Sequence, residues 1–153
     1  MIFTGVALYT IQEGQVYFIL GKELNGELNI FGGGPKSSDY SLEAAREFEE
    51  ETMGIFGSAE DILPYLSSCP KYQTDDVTIF LCRIEIIWDQ LMILQQAFQN
   101  LYRHFSKCSI CPEGYLEMTD ILFVPKDQIE TYNLRPAFRR QLSSLLKIFP
   151  LNG

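Results

Sequence analysis

Apolar residues divide the chain into short blocks of strand character and longer runs with helical spacing. Phe3 to Ile11 and Gln15 to Gly21 read as strands, joined by a hairpin turn at Gln12-Glu13-Gly14. Lys22 to Glu27 reads as a loop or strand end. Leu28 to Phe31 reads as a short strand that delivers the chain to Gly32-Gly33-Gly34-Pro35. Lys36 to Asp39 bridges to a helix predicted over Leu42 to Met53, with Ser41 as N-cap and Asp39 as the alternative. Ser58 to Ser67 predicts a short helix capped by Ser58, with Ile62, Leu63 and Leu66 on one side. Asp76 to Glu85 predicts a strand burying Val77, Ile79, Phe80 and Leu81. From Trp88 to Phe105, Leu91, Ile93, Leu94, Ala97, Phe98, Leu101 and Phe105 recur at helical spacing. A cysteine-bearing loop, Ser106 to Gly114, precedes a strand over Thr119 to Val124 that ends at Pro125-Lys126-Asp127. Pro136 opens the last helix, whose apolar side is Ala137, Leu142, Leu145, Leu146 and Ile148. There is no internal repeat, low-complexity tract or linker, so one α/β domain over residues 1–153 is expected.

Charge changes the picture at the helix after the glycines. With Leu42 at zero, Glu43, Glu47, Glu50 and Glu51 fall at about 100°, 140°, 80° and 180° around the axis. Leu42, Ala44, Ala45, Phe48, Thr52 and Met53 fill the remaining arc, and Glu49 intrudes near its edge. One face can dock on a core. The other carries four carboxylates, several at i, i+3 and i+4 spacing, where like charges repel. Such a face is either solvated or built to hold a hard cation. Arg46 is the only cation in this run, placed to pair with Glu50 or to brace Glu47. The preceding glycines let backbone approach a phosphate or a metal closely. Gly54 supplies a C-cap.

Arg46-Glu47-Phe48-Glu49-Glu50-Glu51 resembles the core of the Nudix box, G-x5-E-x7-R-E-U-x-E-E-x-G-U, where U is a bulky apolar residue. Strict spacing puts Gly32 at the box glycine and Ser38 at the box glutamate. A loop one residue shorter puts Gly33 and Asp39 there. Met53 occupies the second glycine position, and Gly54 comes one residue late. The resemblance implies a Nudix-type α/β/α sandwich of the α/β (α+β) class, with a mixed sheet and the box helix on one face. It implies Mg²⁺ or Mn²⁺ held by Glu47, Glu50 and Glu51 with a glycine carbonyl from Gly32, Gly33 or Gly34. It also implies a catalytic set of Glu47, Glu50 and Arg46, with Arg46 orienting the carboxylates. Glu117, ahead of the strand ending Phe123-Val124-Pro125, stands where such enzymes often carry a further glutamate, and Asp120 is the weaker candidate. The implied activity is hydrolysis of the phosphoanhydride of a nucleoside diphosphate derivative, giving a nucleoside monophosphate and a phosphorylated product. The alternatives are an RNA-cap hydrolase and a nucleotide-sensing module without turnover.

The formal charge is −8, from 20 acidic and 12 basic residues, which disfavours non-specific nucleic-acid binding; a capped RNA end is the only nucleic-acid partner expected. Arg135, Arg139 and Arg140 could form a small basic patch, or simply a solvated helix face. No signal peptide or membrane span is visible, so no membrane partner and a cytoplasmic location are expected. A monomer and a homodimer are both compatible with the sequence. His104, Cys108 and Cys111 could make a zinc site with Cys69, but one C-x2-C without a second pair is a weak signal, and reduced thiols are ordinary in that compartment. Trp88 and Phe98 are expected in the core, within a helix of the kind that often shapes a substrate pocket.

Overall fold

The computed structural model describes residues 1–149. Strands β1 (Phe3–Gln12) and β2 (Gln15–Glu23) form the central hairpin. Gln12 pairs with Gln15, so the loop is only Glu13 and Gly14, both at positive φ (51° and 76°). That is the turn whose twist matches two antiparallel strands.

The single strand expected at Leu28 to Phe31 is two. Strand β3 (Leu28–Asn29) pairs with β2, and β4 (Phe31–Gly33) pairs with β1. The chain changes partner at Ile30, which brings the glycines to the edge of β1. Helices α1 (Tyr40–Thr52) and α2 (Ala59–Leu66) follow, then β5 (Lys71–Gln73) and β6 (Val77–Arg83). The long helix α3 (Trp88–Ser106) precedes β7 (Met118–Pro125), a 3₁₀ turn (Lys126–Thr131) and α4 (Pro136–Lys147). Neither β5 nor the 3₁₀ turn is foreshadowed by the apolar pattern, because three exposed or half-exposed residues and one short turn carry no periodicity.

The strand order is β3-β2-β1-β6-β5, with β7 on β2 and β4 on β1. Strand β6 runs parallel to β1, and the other pairings are antiparallel, so the sheet is mixed. Each face of the sheet has its own core. Ala7, Phe18 and Leu20 pack with Phe138, Leu142 and Leu145 of α4 on one side. Val6, Ile19 and Phe31 pack with Ala45 and Phe48 of α1, Leu66 of α2, and Leu91 and Phe98 of α3 on the other. Helix, sheet and helix therefore form three layers. No described helix is long and apolar enough to cross a membrane.

Three local expectations shift. Asp39, not Ser41, caps α1 by accepting from the Leu42 N–H at 3.2 Å, so the helix starts at Tyr40. Leu42 is 42% exposed, whereas Glu43 and Glu51 are buried, so the helix meets the protein through part of its charged face. On α3, Leu91 and Phe98 are buried but Ile93 is exposed.

Candidate active site

The geometry begins at the end of α1. Met53 adopts a left-handed conformation (φ 53°) and donates its N–H to the last turn. This is the backbone state glycine favours at a helix end. Met53 holds it because its side chain is buried in the core beneath α1. Its departure from the box pattern is therefore a change of side chain with the helix-ending backbone kept. Glu49, the carboxylate that intruded on the apolar arc, accepts from the Ala59 N–H at 3.2 Å and stabilises the start of α2.

Arg46 organises three of the remaining glutamates. Its guanidinium lies 2.7 Å from Glu43, 3.1 Å from Glu47 and 3.0 Å from Glu50. Burial works against the guanidinium charge, but these carboxylates outweigh it and raise the Arg46 pKa. Burial likewise pushes Glu43 up, yet hydrogen bonds from Arg46 and Ser37 hold it below its ordinary value. Glu50 is enclosed between Arg46 and the backbone of Gly114, which holds φ 81°.

Glu51 has no cation. It is 5% exposed and accepts from the Gly32 N–H at 2.5 Å. Burial raises its pKa well above the ordinary carboxylate value; the Gly32 bond opposes the shift, and the charges of Glu47 and Glu117 add to it. Glu47 is raised too, by burial first, with Arg46 opposing and Glu50 and Glu117 reinforcing. Carboxylate oxygens of Glu47, Glu51 and Glu117 lie within 4.8 Å of one another. Leu116, immediately before Glu117, sits at φ 72°, a strained state for a branched side chain. Gly33 faces the group from the sheet, where a Cβ would stand 2.8 Å from a Glu47 carboxylate oxygen. Three converging carboxylates, one buried and uncompensated, in a glycine cradle match the oxygen-only donor set of a hard divalent cation.

The structure thus brings together Glu47, Glu51, Glu117, Gly32 and Gly33. It leaves Glu50 with Arg46, outside that group. Asp120 is occupied elsewhere, accepting from Gln99 of α3 at 3.2 and 3.3 Å. The candidate zinc ligands do not assemble: the three glutamates form the only such cluster among the described residues. Cys69 instead donates to the Tyr65 carbonyl at 3.2 Å, while Cys108 lies 3.7 Å from His104.

A cleft of about 470 Å³ opens beside the glutamates. Gly32, Gly33, Gly34, Glu51 and Glu117 line it, together with Glu23, Asn29, Arg135, Phe138 and Arg140. No residue of α3 lines it, so Trp88 and Phe98 are not walls of this cleft; Trp88 borders a separate, shallower pocket with Gln12, Glu13, Gln15 and Tyr17. Phe98 is fully buried as expected, but Trp88 is not a core residue: it is 38% exposed, packing one side against Phe123 and Tyr17 because it opens α3 at the surface end of the helix. The basic patch resolves into separate arginines. Arg135 pairs with Glu23 at 2.6 Å, Arg139 donates to the carbonyls of Glu130 and Tyr132, and Arg140 borders the cleft. Asn29 was missed because only the change of strand partner at Ile30 places it here, and Glu23 because it ends β2 at a register shift that spacing does not reveal. A polar Asn in an otherwise apolar four-residue strand was the one available signal.

No family model and no curated protein sequence matches the chain. Solved structures do. The NUDIX domain of Shewanella oneidensis NrtR, complexed with ADP ribose, superposes with a TM-score of 0.56 at 12% identity, over 96% of this chain and 86% of that one. A C. elegans Ap4A hydrolase superposes with a TM-score of 0.52 at 14% identity, over 97% of this chain and 100% of that one. At that identity the likeness is one of architecture. The chain has the Nudix fold, with the box-like helix on one face of a mixed sheet.

Proposed function

We propose that this protein is a metal-dependent hydrolase that cleaves the phosphoanhydride of a nucleoside diphosphate derivative, releasing a nucleoside monophosphate and a phosphorylated product. The observation that carries the reading is the convergence of Glu47, Glu51 and Glu117 within 4.8 Å beside Gly32 and Gly33, at a cleft large enough for a nucleotide. Mg²⁺ or Mn²⁺ held there would offset the anhydride's negative charge and make a water more acidic.

The chain's own groups have separable tasks. The Gly32 N–H fixes the Glu51 carboxylate, and Arg46 holds Glu47 and Glu50 against their mutual repulsion. Arg46 is thus a positioning residue. Glu117, the exposed member of the trio, is the carboxylate best placed to take a proton from an attacking water. Glu50 acts through Arg46 as long as that ion pair persists. The compounds named for the two structural neighbours, ADP ribose and Ap4A, are nucleotides with phosphoanhydride linkages and make the first substrates to try. We place the protein in the cytoplasm, a reading in keeping with its free cysteines.

The test is turnover of a diphosphate panel, capped RNA included, with and without Mg²⁺. Metal-dependent product from at least one compound, lost in Glu51→Gln, is the expected result. Well-folded protein that binds a panel nucleotide without ever producing product would instead indicate a sensing module.

A further inference from the structure

Asn29 is 6% exposed, lies on the wall of the cleft, and its side-chain amide has no hydrogen-bond partner among the described residues. A buried polar group without a partner is unfavourable. Among the described residues the one fully sealed side-chain atom without a partner is Glu23 Oε1, and the Asn29 amide instead borders the cleft. An amide kept unpaired but reachable in a cleft is free to bond with whatever enters.

The surroundings narrow what that is. Phe3, Ile30 and Val77 give the cleft an apolar lining suited to a flat ring. Arg135 is neutralised by Glu23, whereas Arg140, also lining the cleft, makes no ion pair among the described residues and suits an anionic ligand. The amide offers a donor and an acceptor side by side in one plane. Nucleobase edges carry the complementary pair, and Asn is a habitual partner for them.

We propose that Asn29 binds the edge of the substrate's nucleobase, making it a specificity-determining residue. This rests on the hydrolase reading for its kinetic form only.

The experiment uses ADP-, GDP-, CDP- and UDP-glucose, which share one sugar and one linkage, with the wild type, Asn29→Leu and Asn29→Asp. N29L should raise KM for the preferred base about tenfold or more, flatten the preference among bases, and leave kcat within about twofold. N29D replaces the donor with a second acceptor, so it should shift the KM ratio toward guanine, whose edge carries two adjacent donors. Reading a ratio between bases cancels any charge effect common to all four. Unchanged base preference in both variants, with melting temperatures near wild type, overturns the proposal. So does a kcat loss equal for all bases. If the wild type turns over none of the four, the hydrolase reading fails and calorimetry decides this one: base-dependent Kd abolished by N29L supports it, and equal Kd values for all bases overturn it.

Discussion

The two edges of α1 treat the same residue type in opposite ways. On one edge Arg46 bonds Glu43 and Glu50 and reaches Glu47, and Glu43 is held below its ordinary pKa despite its burial. On the other, Glu51 is equally buried, with the Gly32 N–H as its one opposing partner and Glu47 and Glu117 beside it; burial, their charges and a hydrogen bond with Glu117 push its pKa well up. One arginine therefore offsets the repulsion along half of the helix and leaves it unrelieved where the helix faces Gly32 and Gly33. The uncompensated half is where a cation would do most for the fold and for a bound diphosphate. A glutamate's role on this helix depends on what faces it from another element.

The sharpest way to break that contrast is to neutralise one carboxylate on each edge. Glu51→Gln should lower turnover by about a hundredfold or more, the scale on which loss of electrostatic stabilisation is felt. It should also abolish Mg²⁺ stabilisation while leaving the metal-free melting temperature unchanged or higher. Glu43→Gln should cost stability and leave turnover within a few-fold. Opposite assignments from paired melting curves and rates would dissolve the distinction.

Removing the shared cation comes next. Arg46→Ala leaves three carboxylates without their partner. It should cost about 2 kcal/mol in chemical denaturation, less than a fully buried pair because Arg46 keeps 25% of its side chain exposed. Gly33→Ala places a methyl against Glu47, and calorimetry should record metal affinity about tenfold weaker, the scale of a disturbed supporting shell.

The smallest effect is a pH dependence. Glu47 and Glu51 have folded pKa values above their unfolded ones. Their contribution to metal-free stability is complete below the ordinary carboxylate range and is lost as pH rises through the raised values. A cation must displace the same protons. The Mg²⁺-induced rise in melting temperature should therefore grow with pH over that window, and a shift that shrinks instead would mean the cation binds elsewhere.

Much of the architecture was legible in the chain. The β1–β2 hairpin, α1, α3 and α4 announce themselves because each carries enough apolar residues to establish a period. Short elements defined by partners did not. Strand β5 exists because Lys71, Tyr72 and Gln73 pair with Phe80, Ile79 and Thr78, and the break at Ile30 exists because β2 and β1 compete for the chain. The site divides in the same way. Glu47, Glu51 and the glycines stand close in sequence, and the spacing that resembles the Nudix box points to them. Glu117 followed only from the resemblance, which implies a further glutamate ahead of a late strand. Arg46 holding Glu43 as well as Glu47 and Glu50, and Asn29 on the cleft wall, depend on rotamers and strand exchange that spacing does not encode.

The central claim is that Glu47, Glu51 and Glu117 jointly hold a divalent cation. Anomalous diffraction from crystals soaked in Mn²⁺ tests it most directly. The account predicts a peak in contact with oxygens of all three carboxylates beside Gly32 and Gly33. A peak anywhere else, or none at saturating Mn²⁺ with the three side chains turned apart, would contradict it.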